Sequence, residues 1–244
     1  MLKFVGTGSA FNTELGNNSA YIKEGNKLFL IDCGSANFHR MKESGLLDDV
    51  EYIYVFITHT HSDHVGSISD LILFMYYTKG EMKARVEVIS HMSTKVGKYL
   101  EMNGIEPDQY LLYQVFNGHV VEIEEGGFDL GFTSMRTTHV DNLNSSGLIV
   151  FNAKTDEKCI YTGDTSELDG SVVALLEDDE EPIDFLYVDT CSQDYEGNVH
   201  LSLKKLEEKV PQHLRHKVWC MHLDEKFDVE YAKSLGFNIA EVEM

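Results

Sequence analysis

The chain has 244 residues, and 20 Lys and Arg stand against 41 Asp and Glu, a formal charge of −21. Hydrophobic residues make up 43% and charged residues 25%, the balance of a folded domain, which excludes wholesale disorder. Non-specific nucleic-acid binding depends on Lys and Arg neutralising phosphates, so a surface this acidic disfavours a duplex or a large folded RNA as partner unless a local basic patch exists. No apolar run approaches the ~20 residues that cross a bilayer. Gly6 and Gly8 interrupt any secretory core near the start, so neither a membrane span nor a signal peptide is expected.

Strands are predicted at Leu2–Val5, Ser19–Glu24 and Lys27–Asp32. Gly25-Asn26 supplies a two-residue hairpin turn between the last two. Ser35 to Ser44 has helical spacing, with Phe38 and Met41 on one side. Tyr52–Thr58 is a continuous β-branched and aromatic run that suits a buried strand. A helix is predicted over Val65 to Thr78, a strand over Arg85–Ile89 and a helix over Ser93 to Met102. Strands return at Val120–Glu124, Phe128–Thr137, Gly147–Ala153 and Lys158–Thr162, with buried strands at Ile183–Val188 and Lys217–Met221. Leu201–Val210 and Val229–Leu235 are amphipathic helices. Hairpins come first, then alternating strands and helices, then the same scheme again. That order predicts two packed sheets with helices outside, in one domain over residues 1–244.

The four cysteines (Cys33, Cys159, Cys191, Cys220) form no CxxC pair. They are expected to be buried free thiols in a reducing compartment, which points to the cytoplasm. The acidic runs Glu177-Asp178-Asp179-Glu180-Glu181 and Glu122 to Glu125 are expected to be solvated faces.

The sharpest feature is Thr58-His59-Thr60-His61-Ser62-Asp63-His64, directly after the buried strand and before a helix. In extended chain, residues two apart point to the same side, so His59 and His61 converge. Asp63 and His64 then face a second point nearby. Asp63 alone would suit a helix N-cap, but four donors within six residues are a dense set for a cation such as zinc. Three later strand ends each add one donor: His139 after Thr137-Thr138, Asp164 in Thr162-Gly163-Asp164-Thr165, and His222 after Trp219-Cys220-Met221. A carboxylate has lone pairs on both oxygens, so Asp164 can bridge two ions.

The set His59, His61, Asp63, His64, His139, Asp164 and His222 resembles the dinuclear metallo-β-lactamase fold hydrolases over nearly the whole chain. The resemblance implies an α/β four-layer αββα sandwich with two Zn²⁺ per chain, Mn²⁺ being the alternative. It implies one ion on His59, His61 and His139, the other on Asp63, His64 and His222, and Asp164 between them. Gly6-Thr7-Gly8-Ser9-Ala10, Asn17-Asn18-Ser19, Asp32-Cys33-Gly34 and Ser146-Gly147 resemble the RNase Z-type phosphodiesterases. So does Asp189-Thr190-Cys191 followed by Val199-His200-Leu201-Ser202-Leu203. In that branch the histidine at the position of His200 faces the metals and serves the scissile phosphate.

The RNase Z arm, a long insertion rich in glycine and basic residues, has no counterpart between His64 and His139 or in the short span from Ala153 to Asp164. The compact length and N-terminal pattern are most similar to the anti-Pycsar proteins. That resemblance implies hydrolysis of 3′,5′-cyclic mononucleotides (such as cCMP, cUMP, cAMP and cGMP) to 5′-monophosphates, antagonism of cyclic-nucleotide antiphage signalling, and a homodimer. The alternative is an RNase Z-like endoribonuclease acting on tRNA precursors. Asp63 would orient the attacking water and accept its proton, and His200 would stabilise the phosphorane or protonate the leaving oxygen. Gly8 and Ser9 are expected to offer donors to phosphate; Asn142, Asn144 and Ser145 are expected to reach the ribose or base. Apolar helix faces such as Leu71 to Tyr77 fit a core or a partner equally well.

Overall fold

Apolar strands that are buried on both faces need helices to cover them, and the chain supplies these in alternation. The computed structural model describes residues 1–80, 82–124, 128–178 and 180–244. Glu125 and Asp179, members of the two acidic runs, lie outside the described residues; Glu122, Glu124, Glu177, Asp178, Glu180 and Glu181 are exposed, as expected of solvated faces. The contacts divide the chain into two compact units, one built on residues 2–116 with Val242–Met244, the other on Asn117–Ile123 and Asp129–Glu241.

The N-terminal unit contains strands β1 (Lys3–Gly6), β2 (Ser19–Glu24), β3 (Lys27–Ile31), β4 (Tyr52–Ile57), β5 (Val86–His91) and β6 (Leu111–Val115). They form a six-stranded sheet in chain order, antiparallel from β1 to β3 and parallel from β3 to β6. Helices α1 (Asn37–Glu43), α2 (Ser62–Val65), α3 (Ile68–Thr78) and α4 (Val96–Met102) lie between the parallel strands in sequence. Leu28, Leu30, Ile53, Val55, Ile57, Val86 and Val88 form one core with Met41 of α1, Leu71, Ile72 and Met75 of α3, and Val96 and Leu100 of α4. The period-2 partners Phe29, Ile31, Phe56 and Ile89 are also fully buried, which is why these strands lack polar alternation. Leu71, Ile72 and Met75 are therefore core, while Tyr77 is exposed.

The single helix predicted over 65–78 is two. The first turn begins earlier, at Ser62, and the break falls at Gly66–Ser67. A Cβ on Gly66 would lie 2.2 Å from Ser35 Oγ. Ser67 N–H donates to Cys33 O at 3.0 Å, and Ser67 Oγ accepts from Phe38 N at 3.1 Å. Cys33 N–H also donates to His64 O at 2.7 Å, so the turn that carries His64 is fastened to the residues just after β3.

The C-terminal unit contains β7 (Val120–Ile123), β8 (Leu130–Thr137), β9 (Ser145–Asn152), β10 (Glu157–Tyr161), β11 (Phe185–Asp189), β12 (Val218–Met221) and β13 (Asn238–Ile239). The sheet order is β13-β12-β11-β10-β9-β8-β7, parallel from β13 to β10 and antiparallel from β10 to β7. Its helices are α5 (Gly170–Leu176), α6 (Leu203–Lys209) and α7 (Val229–Ser234). Asp169, Ser202 and Asp228 each accept a backbone N–H at the helix start, an N-cap worth about 1 kcal/mol. The four cysteines are free and buried, as their spacing predicts. Among the described residues no helix is long and apolar enough to cross a membrane.

Candidate metal and phosphate site

In both units the donor side chains follow the carboxyl ends of strands, the end at which open α/β sheets receive ligands. In the N-terminal unit β4 ends at Ile57, and Thr58-His59 continue it. His59 and His64 are fully buried, Asp63 is buried and His61 half-buried. His59 Nε2 and His61 Nδ1 lie 3.0 Å apart. The His59 and His64 rings sit 4.1 Å apart, centroid to centroid. His64 Nε2 lies 3.3 Å from Asp63 Oδ2. Two ligands about 2.1 Å from one tetrahedral ion are roughly 3.4 Å apart, so these spacings suit shared coordination.

The outer nitrogens fix the rings. His59 Nδ1 is 3.0 Å from Thr58 Oγ1, and His64 Nδ1 is 2.8 Å from Asp32 Oδ2. A metal-binding histidine is oriented by such a partner on its other nitrogen. Asp32 is itself fully buried and also accepts from Thr58 N and Thr58 Oγ1, at 2.8 and 3.0 Å to Oδ1. Burial pushes its carboxyl pKa up; the charge and hydrogen bond of His64 and the bonds from Thr58 pull it back without cancelling that rise. Asp32 holds a left-handed φ of 64° just after β3, an uncommon backbone state for a residue with a side chain.

In the C-terminal unit Asp164 stands between two histidines. Its Oδ2 is 3.6 Å from His139 Nε2 and its Oδ1 is 3.5 Å from His222 Nε2. Both separations are too long for hydrogen bonds and fit one carboxylate sharing a cation with each imidazole. His139 Nδ1 donates to Val199 O at 3.0 Å. His222, at φ 59° just after β12, has its Nδ1 3.2 Å from Asp189 Oδ1. Asp164, Asp189, His200 and His222 can each place one donor atom within 4.8 Å of the others. Within that group Asp189 Oδ2 binds His200 Nδ1 at 2.7 Å, and Thr165 N donates to the same oxygen at 2.9 Å. Burial pushes the Asp189 carboxyl up, but the charges of His200 and His222 outweigh it and leave its pKa low. Burial likewise pulls the His200 pKa down, and the Asp189 carboxylate more than reverses this, so His200 holds its proton above the usual range. The donor set of each unit, imidazoles and carboxylates, with the outer nitrogens of His59, His64, His139 and His222 facing a partner, fits a divalent cation.

Asp32 and Asp189 stand in the motifs Asp32-Cys33-Gly34 and Asp189-Thr190-Cys191 that the family pattern marks, but their partners, His64 for Asp32 and His200 for Asp189, emerge only from the hydrogen bonds. Two expected substrate contacts need correction. Gly8 N–H donates to Gly16 O at 2.8 Å, closing its own loop, so it is not a donor for phosphate. Ser145 is buried, paired with Thr137 Oγ1, and donates to Asp164 O at 3.3 Å; it supports the Asp164 backbone rather than a ribose. Asn142 and Asn144 are both exposed, and Asn144 lines a cavity of about 180 Å³ with Arg136, His139 and Asp141. Ser9 is half-buried in the β1–β2 loop.

The model of the family described as anti-Pycsar protein Apyc1 matches residues 1–241. The anti-Pycsar protein Apyc1 of Bacillus phage vB_BveM-Goe7 is 28% identical over 264 residues, covering 98% of this chain and 95% of that protein. The metallo-β-lactamase fold protein YhfI from Bacillus subtilis superposes with a TM-score of 0.74 at 15% identity, covering 100% of this chain and 96% of that one. The short form of human tRNase Z superposes with a TM-score of 0.67 at 18% identity, covering 100% and 97%. The chain therefore has the metallo-β-lactamase fold, and it belongs to the anti-Pycsar protein Apyc1 family.

Proposed function

We propose that this protein is a phosphodiesterase that opens 3′,5′-cyclic mononucleotides, among them cCMP, cUMP, cAMP and cGMP, to 5′-monophosphates, and thereby antagonises antiphage signalling. On this reading His59, His61, Asp63, His64, His139, Asp164 and His222 serve a pair of zinc ions, and residues 1–244 work as one catalytic domain within a cytoplasmic homodimer. The observation that carries it is Asp164, whose two oxygens face two different imidazoles, 3.6 and 3.5 Å away, in a chain of the anti-Pycsar family.

When bound, divalent cations supply Lewis-acid stabilisation of the phosphate oxygens and lower the pKa of water. The protein's own groups handle the protons. Asp63 orients the attacking water and accepts its proton as the new P–O bond forms. His200, held through Nδ1 by Asp189, presents its other face to the leaving group and protonates the 3′-oxygen as the P–O3′ bond breaks. A general acid of this kind contributes typically 10²–10⁴-fold. The charge of −21 does not oppose a small anion, because bound cations offset the local carboxylates while the exterior still repels long polyanions.

The rival reading, cleavage of tRNA precursors, is disfavoured by the same charge and by the four-residue link, 153–156, between β9 and β10, which leaves no protruding arm there. The test is incubation with 3′,5′-cyclic mononucleotides and with precursor tRNA, each with and without a chelator. Release of 5′-monophosphate that stops with chelator and returns with zinc or manganese is expected. Cutting of tRNA alone, or binding of cyclic nucleotide with no turnover, overturns the assignment. Analytical ultracentrifugation tests the dimer, and a monomer at micromolar concentration rejects it.

A further inference from the structure

At 85% exposure, Phe11 is the most exposed large apolar side chain among the described residues. It sits at the tip of the loop between β1 and β2, and that loop is stiff. Gly8 N–H bonds Gly16 O at 2.8 Å, Asn18 N–H bonds Gly8 O at 2.9 Å, and Asn12 N–H bonds Ser9 O at 3.1 Å. Leu15 N–H bonds Asn12 Oδ1 at 3.3 Å. Gly16 adopts φ +71°, and the Arg40 guanidinium fills the place of a Cβ there, 2.7 Å away. Arg40 is anchored in turn by Nε donating to Val5 O at 2.9 Å. The phenyl ring is thus carried into solvent on a backbone fixed by hydrogen bonds.

The base of the loop abuts the turn that bears the metal donors. A Cβ on Gly34 would lie 1.9 Å from Asp63 O and 2.8 Å from Asn17 Cβ, so Asn17, Gly34 and Asp63 are packed together. Asn17 Oδ1 also accepts from Ala36 N at 2.9 Å. Phe11 is three residues from Gly8, at most about 10–11 Å of extended chain, a reach comparable with a nucleoside monophosphate. The residues flanking the tip, Ala10 and Asn12, are uncharged, and the nearest acidic residue in sequence is Glu14. An aromatic face meets any nucleobase by stacking, without reading its edge.

We propose that Phe11 is the stacking platform for the nucleobase of the substrate, an inference that rests on the cyclic-nucleotide reading above. It makes the protein tolerant of purine and pyrimidine alike and places affinity for the base on the loop rather than on the metal donors. The ring is so exposed that Phe11→Ala leaves the fold unchanged, and Phe11→Trp retains a stacking face.

Two measurements test it. In turnover, Phe11→Ala is expected to raise KM for 3′,5′-cyclic nucleotides about 5–150-fold, the span of one lost base–aromatic stack, with kcat within a factor of two. Phe11→Trp restores KM, and KM for abasic ribose 3′,5′-cyclic phosphate is the same in all three proteins. In binding, the fluorescence of 2-aminopurine riboside 3′,5′-cyclic monophosphate is quenched by chelator-treated wild type and not by Phe11→Ala. A wild type that hydrolyses cyclic nucleotides, with Phe11→Ala at the same KM, overturns the platform and leaves the proposed function standing. Phe11-dependent quenching without hydrolysis retains the platform and overturns the function. Neither quenching nor hydrolysis overturns both.

Discussion

Replacing Gly34 by alanine perturbs the metal-binding turn without touching a donor atom. The new Cβ would sit 1.9 Å from Asp63 O, 2.5 Å from Asp63 C and 2.8 Å from Asn17 Cβ. Real Cβ atoms essentially never approach closer than 3.0 Å, so closing the gap from 1.9 to 3.0 Å requires a backbone shift of about 1.1 Å. The obstacle is main chain on a buried turn, so no flexible side chain can yield. Overpacking of this kind costs about 1–3 kcal/mol or more, and a misplacement near 1 Å can cost about 10²-fold in rate. Gly131→Ala is the control, because a Cβ there meets nothing within 4 Å and φ is not left-handed. We expect Gly34→Ala to lower the urea midpoint, bind metal more weakly by isothermal titration and lose about 10²-fold in turnover, while Gly131→Ala matches wild type. A Gly34→Ala protein with wild-type midpoint, metal stoichiometry and turnover would refute the close-packing argument.

Three further outcomes follow from the hydrogen bonds of the two units. His200→Ala should retain metal by elemental analysis while kcat falls about 10²–10⁴-fold; unchanged kcat removes His200 from proton transfer. Asp32→Asn replaces the acceptor of His64 Nδ1 and should weaken metal binding about 10–100-fold, measured by competition with a chromogenic chelator; equal affinity would show that Asp32 does not orient His64. In chelator-treated protein, the raised His200 pKa means that the Asp189–His200 pair stabilises the fold fully below the unfolded value of about 6.5. That contribution is lost as pH rises from there through the folded-state pKa. Urea midpoints of wild type should fall over that interval and those of Asp189→Asn should fall less; parallel curves would show that the pair contributes no proton-linked stability.

The local signals that identify this protein are dense and short. The run Tyr52–Thr58 followed by His59, His61, Asp63 and His64 declares both a buried strand and its cargo, because period-2 geometry and donor chemistry act within a few residues. The central strands were legible for the same reason: two buried faces demand continuous apolar side chains, and β3, β4 and β11 have them. Strand β6 was not expected. Its residues 111–114 are exposed or nearly so, and what makes Leu111–Val115 a strand is parallel pairing with β5, a partner some twenty residues away. The short helix α5 was missed as well, since seven residues beginning at Gly170 have little intrinsic tendency to hold a helix without the packing of Val172 and Leu176.

By itself the sequence determined the kind of chemistry: which residue types end which strands, how acidic the surface is, and which family pattern these features compose. Tertiary structure alone supplied the partners of these side chains. It tied Asp32 and Asp189, which the sequence offers only as members of motifs, to His64 and His200, withdrew Gly8 and Ser145 into scaffold bonds, and left Phe11 the most exposed large apolar side chain among the described residues. The physical reason is range. Periodicity and donor spacing are properties of a few adjacent residues, whereas a hydrogen-bond partner, an exposed ring or a Cβ with no room exists only once segments distant in sequence have met.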